Sequence, residues 1–149
     1  MAHLIWISSK KFGNLCRYFR KFMKITQLDH LVLTVQDINQ TINFYTKILA
    51  MTEITFGNNR KALQFGKQKI NLHQQGQEIL PNAKHAMCGS ADLCFLTDTP
   101  LTDVIKHLQH HQITIIDGIV ERTGALGKIH SIYIRDPDGN LIEISRYVD

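Results

Sequence analysis

His30-Leu-Val-Leu-Thr-Val35, followed by an amphipathic stretch to Leu49, is answered by Asp92-Leu-Cys-Phe-Leu-Thr97, followed by an amphipathic stretch to His111. The ends of the two halves correspond as well: Lys69-Ile-Asn71-Leu-His73 closes the first and Leu141-Ile-Glu143-Ile-Ser145 the second. The chain is an internal repeat, and a repeat governs the fold reading because each unit must be one supersecondary motif. Leu28 to Val35 alternates and is β-branched, so it predicts a strand. His30, Val32 and Thr34 lie on one face and Leu31, Leu33 and Val35 on the other. The repeat sets four polar residues, His30, Asn71, Asp92 and Glu143, in equivalent places on the first and last strands of the two halves. A pseudo-twofold axis would bring them together, and three of the four side chains can bind a metal.

Working outward, Asp37 is suited to cap a helix in which Ile38, Ile42, Tyr45 and Leu49 recur at helical spacing. Phe44 and Ile48 widen that stripe. Strands are expected at about 51–56, 61–65 and 69–74, with Asn58-Asn59 and Gly66 in the turns. Ile70 and Leu72 share one face of the third; Lys69, Asn71 and His73 share the other. Residues 76–90, with Pro81 and Gly89, predict an irregular linker. The pattern then restarts with a strand at 91–97, where Asp92 and Cys94 share a face. Thr99 is the expected N-cap, with Pro100 at the first helical position and Leu101, Val104, Ile105 and Leu108 as the apolar stripe. Strands are expected at 113–116, 129–135 and 141–147, and Asp136-Pro-Asp-Gly-Asn140 turns the chain between the last two. Each half is thus βαβββ. Two curved sheets edge to edge would make a cup with helices outside and polar side chains within, which is what a binding site requires.

The 149 residues bound the chain to one domain with a real core. No run approaches the ~18 apolar residues of a membrane span. The net charge of +4 is concentrated at the start: residues 1–28 hold six of the 17 Lys and Arg and no acid. The remainder, with eleven basic against thirteen acidic residues, argues against a nucleic-acid partner. Residues 1–24 read as a basic extension, either disordered or an amphipathic targeting segment, and 25–148 as one domain of two repeats, about 28–75 and 90–148. The apolar run from Leu4 to Ile7 is too short for a secretory signal. Cys16, Cys88 and Cys94 make no disulfide framework, so an intracellular setting is expected, cytosolic, or mitochondrial if the basic segment is a transit peptide. Cys94, in an apolar strand pattern, reads as a small core residue.

Leu28-Asp-His-Leu-Val-Leu-Thr-Val35, Phe44-Tyr-Thr-Lys-Ile-Leu49 and Asp136-Pro-Asp-Gly-Asn-Leu-Ile-Glu-Ile144 occur in the order and spacing of a known family. The body of the chain resembles the vicinal oxygen chelate superfamily, which includes glyoxalase I, extradiol dioxygenases, and fosfomycin- and bleomycin-resistance proteins. Asn59-Arg-Lys-Ala-Leu63, Lys69-Ile-Asn-Leu-His-Gln74 and Gly118-Ile-Val-Glu-Arg-Thr-Gly124 bring it nearest the group of glyoxalase domain-containing protein 5 and its bacterial relatives. The resemblance implies an α+β fold, two βαβββ modules in a cup-shaped mixed sheet, in a homodimer with a divalent metal. It implies ligands on the first and last strand of each module. His30 and Glu143 match such positions, Asp92 stands where histidine is usual, and Asn71 stands where glyoxalase I has glutamate. With His30, Asp92 and Glu143 as ligands the set is oxygen-rich and suits Mn²⁺ or Mg²⁺ better than Zn²⁺, with Ni²⁺ the further option. Asn71 in place of a carboxylate removes the expected base of ordinary glyoxalase chemistry.

Each residue also has a plainer reading. His30 as a strand histidine would hydrogen-bond a neighbour. Glu143, between Ile142 and Ile144, needs a partner, which a cation, Arg135, Arg146 or His30 would supply. His73 lines the cup by hydrogen bonding or moves a proton, a role shared with Glu143. His107, His110 and His111 form a solvated helix face, and His130 lies near the cup. Arg60 and Arg122, with Asn71, are candidates to hold an anionic substrate, against solvated loop charges; glycines at 118, 124 and 127 suggest a flexible lid around Arg122. Three functions are open: a glyoxalase-like metalloenzyme of the lyase or isomerase type, a metal-free binding module for a small molecule, and a thiol transferase acting on a thiol adduct.

Overall fold

The computed structural model describes residues 23–148. Cys16 and most of the basic extension, and with them the targeting reading, lie outside the described residues. The elements run β1 (His30–Val35), α1 (Ile38–Leu49), β2 (Thr52–Phe56), β3 (Arg60–Phe65), β4 (Gln68–Gln74), β5 (Asp92–Leu96), α2 (Leu101–His110), β6 (Asp117–Thr123), β7 (Lys128–Arg135) and β8 (Leu141–Tyr147). Two four-stranded sheets form, in the orders β1-β4-β3-β2 and β5-β8-β7-β6. In each, the first strand pairs parallel with the last and the remaining pairs are antiparallel. The repeat is therefore real in three dimensions, as two βαβββ modules of an α+β fold.

α1 starts where Asp37 accepts from the Gln40 amide at 3.0 Å, satisfying one orphan N–H of the first turn. It ends at Ala50 in the left-handed region (φ 53). Glycine adopts that conformation without the Cβ penalty. Ala50→Gly should therefore stabilise the fold by about 0.5 kcal/mol in chemical denaturation, the unfolded-state entropy of glycine offsetting part of the gain.

α2 departs from expectation at its start. Pro100 itself is the N-cap, so no side chain caps the helix. The carbonyl of Pro100 accepts from the Asp103 and Val104 amides at 2.9 and 3.1 Å. The strand expected at 113–116 is also corrected. Ile113 and Ile115 pack on the core without a ladder partner, and the strand is β6, which begins at Asp117. Alternation there records side-chain burial, not strand pairing.

One apolar cluster joins Leu33, Ile70 and Leu72 of the first sheet, Ile42, Phe44 and Tyr45 of α1, and Ile132, Ile134, Ile142 and Ile144 of the second sheet. Phe65 and Phe95, each from the apolar face of its sheet, meet edge to face at 5.2 Å. The two apolar faces thus share one core, and α1 is buried on two sides. A polar lock joins the modules beside it. Tyr45 donates to Asp136 Oδ2 at 3.0 Å, Asn140 Nδ2 donates to the same oxygen at 2.8 Å, and the amides of Asp138 and Asn140 donate to Oδ1. Burial and the neighbouring carboxylate of Asp136 push the Tyr45 phenol far above its ordinary value.

Candidate functional site

With the apolar faces spent on a common core, the polar faces of the sheets turn outward. On the first, register pairs His30 with Lys69, Val32 with Asn71 and Thr34 with His73, all on one face, and Ala62 of β3 lies beside Asn71. On the second, Asp92 pairs with Leu141 and Cys94 with Glu143, while Tyr133 and Ser131 of β7 pair with Glu143 and Ser145. His30 and Asn71 therefore stand diagonally on one polar face, and Asp92 and Glu143 stand diagonally on the other.

A single chain does not bring the two pairs together. Among the described residues no group of three or more His, Cys, Asp or Glu is placed to hold a metal. Val32 and Leu96, apolar residues on these faces, are 44 % and 60 % exposed. Among the described residues β1 and β5 are edge strands, each paired on one side only.

The donor atoms are nonetheless prepared. Asp29 holds Nδ1 of His30 at 2.7 Å, leaving Nε2 free; a carboxylate behind a histidine in this way fixes the ring for metal ligation. Glu143 Oε1 accepts from Ser131 at 2.5 Å and from Ser145 at 3.3 Å, and the Tyr133 hydroxyl and Cys94 thiol lie beside the same carboxylate. Asp92 is exposed and in no ion pair among the described residues. This set fits a hard divalent cation once the faces are brought together. Asp29, Ser131 and Ser145 escaped the sequence reading. Their signal was there: Ser131 and Ser145 alternate onto the face of Glu143 once the strand register is known.

Asn71 and His73 are buried, at 4 % and 5 % exposure. Among the described residues neither Asn71 Oδ1 nor either ring nitrogen of His73 has a hydrogen-bond partner. Burial, and then the charge of Arg60, hold the His73 imidazole below its ordinary pKa, so it is neutral at pH 7. The Arg60 guanidinium and the Lys69 ammonium both lie over the Phe56 ring, at 4.8 and 3.7 Å, and neither is in an ion pair among the described residues.

Three expectations change here. Arg122 belongs to strand β6 and not to a mobile lid: it is tied to Tyr133 Oη at 3.2 Å, the Glu121 carbonyl at 3.0 Å and Asp117 at 3.4 Å. Gly124 and Gly127 close the β6–β7 turn by a 2.7 Å backbone bond. Cys94 is exposed on the polar face, near Ser145 at 3.4 Å, and is no core residue. His130 pairs with Arg146 on the helix-bearing face of the second sheet, away from the cup. His107, His110 and His111 are exposed, and His107 Nε2 lies 3.1 Å from the Ile48 carbonyl. A cavity of about 390 Å³ is an apolar gap between the modules lined by Ile48, Phe65, Phe95, Val104 and Ile144, and it holds none of the four repeat-related polar residues.

The paired βαβββ modules are matched by sequence. Residues 27–144 fit the family described as Glyoxalase/Bleomycin resistance protein/Dioxygenase superfamily. The chain belongs to this superfamily. Its relatives include Virulence protein STM3117 of Salmonella typhimurium, 60 % identical over 85 % of this chain and 88 % of that one. The crystal structure of that protein superposes with a TM-score of 0.84, covering 85 % of this chain and all of the other. Glyoxalase domain-containing protein RDO1 of Mycosarcoma maydis is 54 % identical over 85 % of this chain and 72 % of its own. Metallothiol transferase FosB of Staphylococcus epidermidis is 29 % identical over 82 % of each. Members of this superfamily typically use divalent metals and bind small molecules, and many are dimers.

Proposed function

We propose that this superfamily member is a glyoxalase-like, metal-dependent enzyme of the lyase or isomerase type, acting on a small substrate with two neighbouring oxygens. We further propose that each site forms between two copies, His30 and Asn71 coming from one and Asp92 and Glu143 from the other. One observation carries this. His30 and Glu143 are oriented by their neighbours and Asp92 is exposed without an ion pair, yet the three sit on two outward faces beside strands that have no second partner among the described residues. A twofold partner laying its β5 edge against β1 would close a cup over all of them, and isologous pairing of this kind builds two sites at once.

His30 Nε2, Asp92 and Glu143 Oε2 would hold a divalent ion, with Mn²⁺, Mg²⁺, Ni²⁺ or Zn²⁺ as its identity. When bound, such an ion polarises adjacent substrate oxygens and stabilises negative charge on them. The chain supplies the rest. Asp29, Ser131 and Ser145 fix the ligands. Asn71 cannot take a proton, so proton transfer falls to His73, neutral at pH 7 and without a protein partner, and to Glu143. Arg60 faces the substrate's anionic end.

Metal content tests the reading. Protein purified without chelator should carry about one divalent ion per chain, and His30→Ala should weaken its retention by roughly a hundred-fold or more. A metal-free protein with bound ligand would instead be a binding module. The FosB relatives favour a second reading, transfer of a thiol to a small substrate. Turnover strictly dependent on an added thiol, with the thiol consumed, would select it.

A further inference from the structure

The linker between the modules roofs one end of the first polar face. Thr34 and His73 form the floor and the linker stretch 81–91, with His85 and Met87, forms the cover, around a cavity of about 170 Å³. That is below the size of drug-sized pockets, and it suits a molecule of a few carbons. Buried polar groups without partners are rare, and each one asks for an explanation. Here three such atoms lie on one strand face: both nitrogens of His73, which lines the cavity, and Asn71 Oδ1 two residues earlier.

We infer that this cavity is a subsite for a small α-hydroxy carboxylate, which it holds through Thr34 and His73, with Arg60, outside the lining, supplying positive potential. The inference rests on the proposed reading of the polar face as a substrate site, and it names the substrate's class.

The chemistry of the lining selects the ligand. A neutral imidazole presents one N–H donor and one acceptor nitrogen. The donor, with the Thr34 hydroxyl, suits a carboxylate oxygen. The acceptor nitrogen needs a donor, which a ligand hydroxyl provides and a simple carboxylate lacks. Arg60, two residues along β3 from the partner of Asn71, sets a positive potential on His73. Opposing it in reach of His73 is Glu78, whose carboxylate is taken up by the Gly76 amide at 2.9 Å. His85 is the remaining titratable group of the lining. Ala83, Ala86, Met87 and Ala91 leave room for a short alkyl group. A single guanidinium beside a neutral imidazole matches one negative charge better than the two of a phosphate.

Calorimetric titration of the full chain with L-lactate, lactamide and inorganic phosphate tests this. Lactamide keeps the shape and the hydroxyl but has no charge. Saturable lactate binding is expected, with lactamide and phosphate each weaker by about ten-fold or more, since charge-assisted bonds are the strong ones. His73→Gln and Arg60→Gln should each weaken lactate by about ten-fold; Arg60 is only partly buried and in no ion pair among the described residues, so its variant keeps the fold. Lactamide binding as well as lactate, phosphate binding better, or lactate affinity unchanged in both variants would overturn the inference. Metal content measured on the same samples separates the two claims. Lactate binding by a protein that holds no metal refutes the metalloenzyme reading alone, and metal retained without lactate binding refutes this inference alone.

Discussion

Asp136→Ala should cost about 3–5 kcal/mol of stability, the largest loss expected from any single polar substitution in the chain. The Asp136 carboxylate is buried and receives four donors, the Tyr45 hydroxyl, the Asn140 amide and two backbone N–H groups. Removing it strands all four at once. Against a domain stability of about 5–15 kcal/mol that is a large fraction, and it should lower Tm by on the order of 10 °C. Tyr45→Phe removes one donor and leaves the others satisfied, so its cost should be nearer 1 kcal/mol. Urea unfolding of the two variants checks both figures; equal losses would show that the lock does not centre on Asp136. The pH dependence has a definite sign. The phenol is held protonated in the fold, whereas an unfolded tyrosine ionises near about pH 10. Its contribution is present at lower pH and fades as pH rises beyond that.

Mixing two inactive variants should restore function. His30→Ala and Glu143→Ala lie in opposite half-sites. If each site takes one half from each copy, a mixed dimer holds one site with both defects and one site with neither. Equimolar refolding makes half of the dimers mixed, so metal content and turnover should return to about a quarter of the unmutated level. If each chain built its own site, both would stay near zero. The effect is therefore the gap between about a quarter and nothing.

Much of the fold was legible because the repeat registers itself twice. The alternation of His30 to Val35 and of Leu141 to Tyr147 gave both strand identity and facing, and the structure places their polar residues on the faces expected. Where pairing depends on something other than alternation, the reading failed. Ile113 and Ile115 alternate because they reach the core from a loop, whereas β6 is mostly exposed, carries mixed polarity and looks like a glycine-flanked loop. Cys94 lies outside the core because β5 is an edge strand exposed on its polar side, which its apolar composition hides. The facing of the four repeat-related residues was visible, but their separation was not. It depends on how two finished modules dock, and that is decided by contacts distant in sequence, Tyr45 with Asp136 and Phe65 with Phe95. One local hint existed: Phe44 and Ile48 broaden the apolar stripe of α1 beyond what one sheet needs, as expected for a helix covered on two sides.

The unpaired outer edges of β1 and β5 make abundance itself a variable. If working sites exist only in the paired form, their number follows mass action, and a dilute population carries few of them however many chains it contains. Specific activity per chain should then fall on dilution below the dissociation constant of the pair and recover on concentration. A ligand that fits the closed cup would pull chains together, so substrate supply would recruit its own catalyst.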